Sequence, residues 1–191
     1  KAGEMAEKTR YFLALSDFYS GDYEFSAIQL KSLGRQYTSY YANDALELRL
    51  WLQAINAMDS TAQENVAFPR AMLEELKGNN TKAEAMLWKV ARNQNNPFSG
   101  YSFVVLYSLG ADLEEYVTSL DKYLVDQKNT PLREQLMWLR AQAALHLNTQ
   151  DSSSVSSNAL YSYYEELILS FPNGFYSPLA RKALNVLNIP S

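Results

Sequence analysis

Three pairs of adjacent carboxylates and a single histidine are the residues whose types could support acid–base chemistry. They are Glu74-Glu75, Glu114-Glu115, Glu165-Glu166 and His146. Two carboxylates on opposite sides of a cleft can hydrolyse glycans, one as an acid and the other as a base or nucleophile. Adjacent residues on a helix point about 100° apart, so neighbours in sequence do not face one substrate from two sides. We therefore interpret these pairs as solvated helix surface.

Nucleophilic and metal-dependent chemistry lack their usual residues as well. His146 would have to be the base of any serine-based triad, yet no Gly-x-Ser-x-Gly elbow is present to hold the nucleophile. The chain has no cysteine, and therefore no thiolate, no disulfide and no cysteine-ligated metal. It also has no histidine pair, calcium loop or phosphate-binding glycine loop. We expect a protein that is not an enzyme and that holds neither a cofactor nor a metal.

Composition argues against two classes of partner. The formal net charge is −4, and no cluster of Lys and Arg offers a footprint for nucleic-acid phosphates. The most apolar run, Tyr101 to Leu109, is much shorter than the ~18 residues that a membrane-spanning helix needs. With only 7 glycines and 6 prolines in 191 residues, the composition favours helix over sheet. We predict an all-α protein that neither binds nucleic acid nor inserts into a membrane.

Apolar residues recur every three or four positions along nearly the whole chain, which predicts ten helices. The predicted ranges are 4–19, 22–36, 41–58, 62–77, 81–93, 98–109, 112–127, 131–147, 155–171 and 175–188. Gly21 suits the end of one helix and Asp22 the start of the next, because glycine accepts a left-handed conformation and aspartate caps exposed amides. Pro69 lies inside the predicted helix 62–77, so this helix should either kink or begin later. The longest loop is predicted at Asn148 to Asn158.

One phrase of the sequence occurs twice. Residues Leu33 to Leu46 read LGRQYTSYYANDAL, and residues Leu167 to Arg181 read LILSFPNGFYSPLAR. The alignment pairs Tyr37 with Phe171, and, after one inserted residue, Tyr41 with Tyr176 and Ala45 with Ala180. The separation is about four periods of ~34 residues, the period of helix-turn-helix solenoids. We predict a single domain, 1–191, built as an array of antiparallel helix pairs.

These segments resemble tetratricopeptide repeats of the bacterial cell-envelope type. The matching residues are Ser20-Gly21-Asp22-Tyr23, then Ala27 and Leu30, the segment Tyr41 to Leu46, and the turn Phe171 to Gly174. The resemblance implies a right-handed α-solenoid that binds a protein or peptide on a curved surface and acts as a scaffold or adaptor. It also implies a location in the periplasm or at the outer membrane, although the absence of cysteine is equally compatible with the cytoplasm.

Three candidate contact residues lie in the middle of predicted helices. Arg49 and Arg140 each follow a leucine among apolar residues, and Trp138 precedes Arg140 by two positions. In tetratricopeptide proteins the first helix of each pair lines the concave surface, so the resemblance places both arginines near it. Two alternatives stay open: each guanidinium contacts a ligand, or it forms structural ion pairs or reaches solvent.

Two tyrosines are candidates because they belong to runs that cannot face one core. Tyr40 is followed by Tyr41, and Tyr163 lies between Tyr161 and Tyr164. Side chains at consecutive positions of a helix point in different directions, so at least one member of each run lies at the surface or against a partner. We expect Tyr163 to be the most exposed of its run.

Two other functions fit the same pattern. The chain could be a structural segment of a larger envelope assembly, and a large apolar face on helix 4–19 or 22–36 would favour this function. It could also be the helical support domain of a cell-wall enzyme, which a carboxylate in a deep cleft would favour. The sequence begins at Lys1 without an initiator methionine or a signal-like segment, so we expect a C-terminal fragment or a processed form of a longer chain.

Overall fold

The secondary structure is α-helical throughout the part of the chain that the structure describes. The computed structural model describes residues 2–33, 40–58, 66–150 and 155–187, which form ten helices and no strand. The helices are α1 (Ala2–Ser20), α2 (Tyr23–Leu33), α3 (Ala42–Ala57), α4 (Ala67–Leu76), α5 (Asn80–Arg92), α6 (Ser99–Leu109), α7 (Leu113–Asp126), α8 (Arg133–Gln150), α9 (Ser157–Ser170) and α10 (Ser177–Val186). The all-α prediction is confirmed, and every predicted helix has its counterpart. Parts of four predicted segments, at 34–36, 62–65, 151–154 and 188, lie outside the described residues.

Glycine and aspartate form the predicted turn between α1 and α2. Gly21 has a φ of +88°, a conformation that residues with a Cβ rarely adopt, and it ends α1. The Asp22 carboxylate then accepts a hydrogen bond from the Phe25 amide at 3.3 Å, near the start of α2. Gly110 and Asp112 repeat the arrangement between α6 and α7, with a φ of +75° at the glycine. Local chemistry therefore fixes these two reversals of the chain.

Pro69 lies in the first turn of α4. This helix begins at Ala67, so Pro69 is its third residue, where a backbone N–H has no acceptor within the helix. Of the two predicted outcomes, the structure has the later start. The longest loop is predicted to begin at Asn148, but α8 extends to Gln150 and so includes the first residues of that segment.

The described residues separate into two compact units, Lys1–Leu87 and Trp88–Ser191, with the boundary inside α5. In the first unit α1 packs on α2, α3 and α4, and α2 packs on α3. Its core contains the fully buried Phe18, whose ring centre lies 5.8 Å from that of Trp51. Trp51 in turn meets Phe68 of α4 edge-on at 5.4 Å. Aromatic packing thus joins three helices of this unit.

In the second unit each helix from α6 onward packs on its successor, and α6 also packs on α8. The buried ring of Phe103 lies at the centre of an aromatic cluster. Its neighbours are Trp88 at 6.3 Å, Tyr116 at 5.9 Å and Tyr123 at 5.3 Å. This order of packing is consistent with stacked helix pairs.

The repeated phrase has a structural counterpart in the two units. Tyr41 and Tyr176 are the N-cap residues of α3 and α10, and their carbonyls accept hydrogen bonds from Ala45 and Ala180, each at 2.9 Å. Both alanines are the fourth residue of their helix, and both are buried. The alignment of these residues therefore corresponds to equivalent positions. The Tyr37 end of the alignment lies outside the described residues.

The two N-cap tyrosines also make the same aromatic contacts. Tyr41 stacks on Tyr11 of α1 with ring centres 5.2 Å apart and an interplanar angle of 17°. Tyr176 stacks on Trp138 of α8 at 5.5 Å and 15°. In each unit, the start of one helix is thus anchored by a ring of an earlier helix.

Candidate functional site

Arg140 binds two carboxylates from neighbouring helices. Its Nη1 lies 2.9 Å from Oδ1 of Asp121 on α7, and its Nη2 lies 2.5 Å from Oε2 of Glu166 on α9. The guanidinium also lies over the ring of Tyr163, 4.2 Å from its centre, and the Tyr163 hydroxyl donates to Oδ2 of Asp121 at 2.9 Å. We call Asp121, Arg140, Tyr163 and Glu166 the Arg140 cluster. It connects α7, α8 and α9 by charge-assisted hydrogen bonds.

The cation of the cluster is buried, whereas its carboxylates reach solvent. The Arg140 side chain is only 5% exposed, compared with 38% for Asp121 and 48% for Glu166. Burial, together with the hydrogen bond to Asp121, raises the pKa of Tyr163 to about 12. One guanidinium shared by two carboxylates leaves the cluster with a formal charge of −1. The cluster can fasten three helices, and it presents negative charge to solvent.

Arg140 therefore forms structural ion pairs, one of the two alternatives left open by the sequence. The sequence pattern predicts neither partner: Glu166 stands out only as half of a carboxylate pair, and nothing marks Asp121. The expectation that Tyr163 is the most exposed of its run is wrong: Tyr163 is partly buried by the cluster, whereas Tyr161 is 46% exposed.

A groove of about 510 Å³ with a mixed polar and apolar lining lies next to the cluster, between α7 and α9. Asp121 and Tyr163 form part of its lining, together with Glu114, Thr118 and Ser156. The groove therefore has both hydrogen-bonding groups and carboxylates along its walls.

Arg49 lies on an exposed face of α3. Leu46 and Leu50, three positions before it and one after, are also exposed, so two leucines flank the cation. Positions 46 and 50 are one helical turn apart and therefore lie on the same side of α3. No carboxylate among the described residues forms an ion pair with Arg49. The two arginines of the repeated Leu-Arg pattern thus have opposite environments.

Tyr40 is 82% exposed and lies in the first unit beside a cavity of about 400 Å³. Its ring meets that of Tyr41 edge-on at 5.2 Å, and the cavity is completed by Glu4, Met5 and Lys8 of α1. The prediction that at least one member of this tyrosine pair lies at the surface is confirmed. Tyr40 and Arg49 both lie in the first unit, whereas Arg140, Trp138 and Tyr163 lie in the second.

Trp138 forms one wall of an open, mainly apolar groove of about 320 Å³ in the second unit. Leu145 extends this wall along α8, Tyr164 of α9 forms the floor, and Leu179 and Val186 belong to the opposite wall on α10. We call this the α8–α10 groove. The Gln142 amide donates to the Tyr164 hydroxyl at 2.9 Å within it, so its one deep polar group is satisfied.

Sequence reasoning missed the α10 wall. One face of this helix is polar, since Arg181, Lys182 and Asn185 are exposed. A second, apolar stripe with spacing i, i+4, i+7 also runs along α10, through Leu179, Ala183 and Val186. That spacing is visible in the sequence and could have identified the groove.

One member of each adjacent carboxylate pair is held in an ion pair. Glu74 pairs with Lys77 and Lys82, Glu115 with Arg92, and Glu166 with Arg140. His146 is exposed on α8. Within the described ranges, no group of three or more His, Asp or Glu side chains is placed to hold a metal ion.

No described helix is both long and apolar enough to cross a bilayer.

The comparisons with known proteins assign the chain to no family. No protein-family model, no curated protein and no solved structure matches it.

Proposed function

We propose that this chain is a non-catalytic scaffold or adaptor that binds a protein or peptide partner on exposed faces of its helices. The observation that carries the proposal is the face of α3 on which Leu46, Arg49 and Leu50 are all exposed. Single exposed leucines are common, but two on one helical turn with a cation between them form a small amphipathic patch.

This patch has the composition of a binding surface. Full burial of an exposed leucine contributes roughly 1.5–3 kcal/mol, and a partner that covers Leu46 and Leu50, which are 55% and 52% exposed, supplies about half of that for each. Arginine is enriched at protein interfaces because its guanidinium makes several directed hydrogen bonds while its stem packs on apolar surface. On the Arg49 face, the leucines therefore contribute affinity through apolar burial, and the guanidinium contributes specificity through directed hydrogen bonds.

Regular secondary structure lowers the cost of binding on this side. Leu46, Arg49 and Leu50 lie within α3, whose inner face is anchored by the buried Leu48 and Leu52. A surface whose backbone is already ordered loses little conformational entropy when a partner docks.

The test is purification of the full-length protein from its native organism after gentle crosslinking, with variants of the α3 face alongside. An Arg49→Glu/Leu50→Asp variant changes two exposed positions and leaves the buried face intact. Arg10→Glu, at an exposed position of α1, is the matched charge control. Arg140 is unsuited to this test because its substitution would break buried ion pairs.

We expect a specific protein to be recovered with the wild type and with Arg10→Glu, and to be lost with the α3 variant. Failure to recover any specific protein with any form contradicts the adaptor function.

A structural segment of a larger assembly is a second candidate, and one observation favours it. Phe25 and Ile28, one turn apart on α2, are both 57% exposed, and Met5 and Leu13 of α1 are exposed too. Apolar faces of this kind are normally covered in stacked repeat arrays. Under this alternative, Phe25→Ser would release the crosslinked neighbour whereas the α3 variant would retain it.

A further inference from the structure

The α8–α10 groove extends beyond its cavity as an apolar strip along α10. Leu179 is 46% exposed and Val186 is 79% exposed, two turns apart on the same wall. The opposite wall carries Trp138 and Leu145, and both remain partly accessible. An enclosed pocket would suit a small molecule, whereas an open groove continued by exposed side chains suits an elongated apolar ridge.

Both walls of the groove lack acidic residues. The sequence contains no Asp or Glu from Gln135 to Gln150, nor within α10 (Ser177–Val186), although the whole chain has a net charge of −4. Among the described residues that line the groove, Lys182 is the one that carries a charge, and it forms no ion pair with any described carboxylate. The described lining of the groove therefore carries one charge, which is positive, in a protein that is negative overall.

Two carboxylates near the groove, Glu134 and Glu166, bind other groups. Glu134, at the start of α8, accepts a hydrogen bond from the Tyr176 amide at 2.7 Å. Glu166, on the helix that forms the floor, is bound to Arg140. Neither neutralises Lys182 by an ion pair.

From this complementarity we propose that the α8–α10 groove binds an acidic amphipathic segment of a partner protein. A large apolar side chain of the partner enters the groove between Trp138 and Val186, and a neighbouring Asp or Glu pairs with the ammonium group of Lys182. This inference rests on the proposed scaffold function and specifies one site and the chemistry of its ligand.

The experiment is selection by the full-length chain from a phage library of random peptides of about 15 residues, long enough for four helical turns. Binding of the enriched peptides is then measured for the variants Val186→Asn and Lys182→Glu. Leu169→Asn, at an exposed position of α9 outside the groove, is the matched control for the first. Lys122→Glu, at an exposed position of α7, is the matched control for the second.

We expect enriched peptides to carry a large apolar residue flanked by Asp or Glu. Their affinity should fall about tenfold with Val186→Asn and with Lys182→Glu, and remain unchanged with both controls. Replacing the acidic residues of a peptide by Lys should restore binding to Lys182→Glu and weaken binding to the wild type. Both charges of the pair are then reversed in the first case, whereas two positive charges meet in the second.

Three results would contradict the proposed binding site: enriched peptides without an acidic excess, equal affinities for all variants, or no enrichment at all. The crosslinking experiment with the α3 variant separates this failure from a failure of the scaffold function. A specific partner that is recovered equally well with Val186→Asn would refute the groove alone, whereas the absence of any partner would refute both.

Discussion

The guanidinium of Arg140 lies 4.2 Å from the centre of the Tyr163 ring, and both side chains bind Asp121. Arg140 donates to Oδ1 and Tyr163 to Oδ2, so both oxygens of one carboxylate are used. The stack and the shared acceptor hold α7, α8 and α9 in a fixed mutual orientation.

Substitution of Arg140 by Met should destabilise the protein by about 2 kcal/mol. Removal of one partner from a fully buried pair costs roughly 3–5 kcal/mol, and the cost is smaller here because water reaches Asp121 and Glu166. Urea unfolding at neutral pH measures the change. Arg140→Lys keeps the charge but not the two-pronged geometry, and it should recover only part of the loss. Wild-type stability in Arg140→Met would show that the cluster does not hold these helices together.

Alkaline pH should weaken the wild type more than Tyr163→Phe. The pKa of Tyr163 is about 12 in the folded state, above its value of about 10 in an unfolded chain. A raised pKa means that the contribution is complete below pH 10 and is lost as the pH rises toward 12. The stability difference between wild type and Tyr163→Phe should therefore shrink over this interval.

The expected change is about 1 kcal/mol, less than the full linkage value because the ring is partly exposed. Unfolding free energies at several pH values between 9 and about 11.5 measure it. Tyr161→Phe, on the exposed side of the same helix, is the control. A stability difference that stays constant with pH would contradict the raised pKa.

Helix positions could be predicted because their signals are local. Apolar spacing and turns such as Gly21-Asp22 act within a few residues, and the structure follows them. The Arg140 cluster could not be predicted in this way. Its carboxylates lie 19 and 26 positions away in sequence, and they meet the guanidinium only through the rotation and offset of three packed helices.

The two Leu-Arg pairs show the same limit. Arg49 and Arg140 follow a leucine in the middle of a helix in similar local sequences. One is exposed and the other is buried. What separates them is the set of neighbouring helices, and spacing within one helix contains no information about its neighbours.

Acid should remove a contribution of Glu74 to stability. Its carboxylate accepts a hydrogen bond from the Asn79 amide at 2.8 Å and pairs with Lys82 at 3.3 Å and Lys77 at 3.4 Å. These contacts, the Asn79 hydrogen bond foremost, lower the pKa of Glu74. A lowered pKa gives stability above the unfolded value, near 4.3, that disappears as the pH falls through the folded value.

Glu74→Gln should therefore be less stable than wild type at pH 7, and the difference should narrow below pH 4. Urea unfolding as a function of pH tests this, with Glu165→Gln on the exposed face of α9 as the control. Parallel pH curves for wild type and Glu74→Gln would contradict the lowered pKa of Glu74.

Gly174→Ala should destabilise the start of α10. A Cβ at this position would collide with the Glu134 carboxylate, which accepts the Tyr176 amide at 2.7 Å. Displacing the carboxylate gives up a charge-assisted hydrogen bond, so we expect a loss of about 1–2 kcal/mol. The loss should be smaller when Glu134→Ser is already present, because the colliding group is gone. Urea unfolding measures the loss of stability in both backgrounds. Equal losses would show that the collision with Glu134 is not the cause.

The flat stack of Trp138 on Tyr176 gives the chain an optical signal for its last helix. The indole belongs to α8, and the ring against it is the residue at which α10 begins, so departure of α10 separates the pair. The indole, which is only partly accessible in the folded protein, then becomes more exposed to water, and its emission moves to longer wavelength. With Trp51 and Trp88 replaced by Phe, fluorescence reads this local opening, and far-ultraviolet dichroism of the remaining helices reads global unfolding separately.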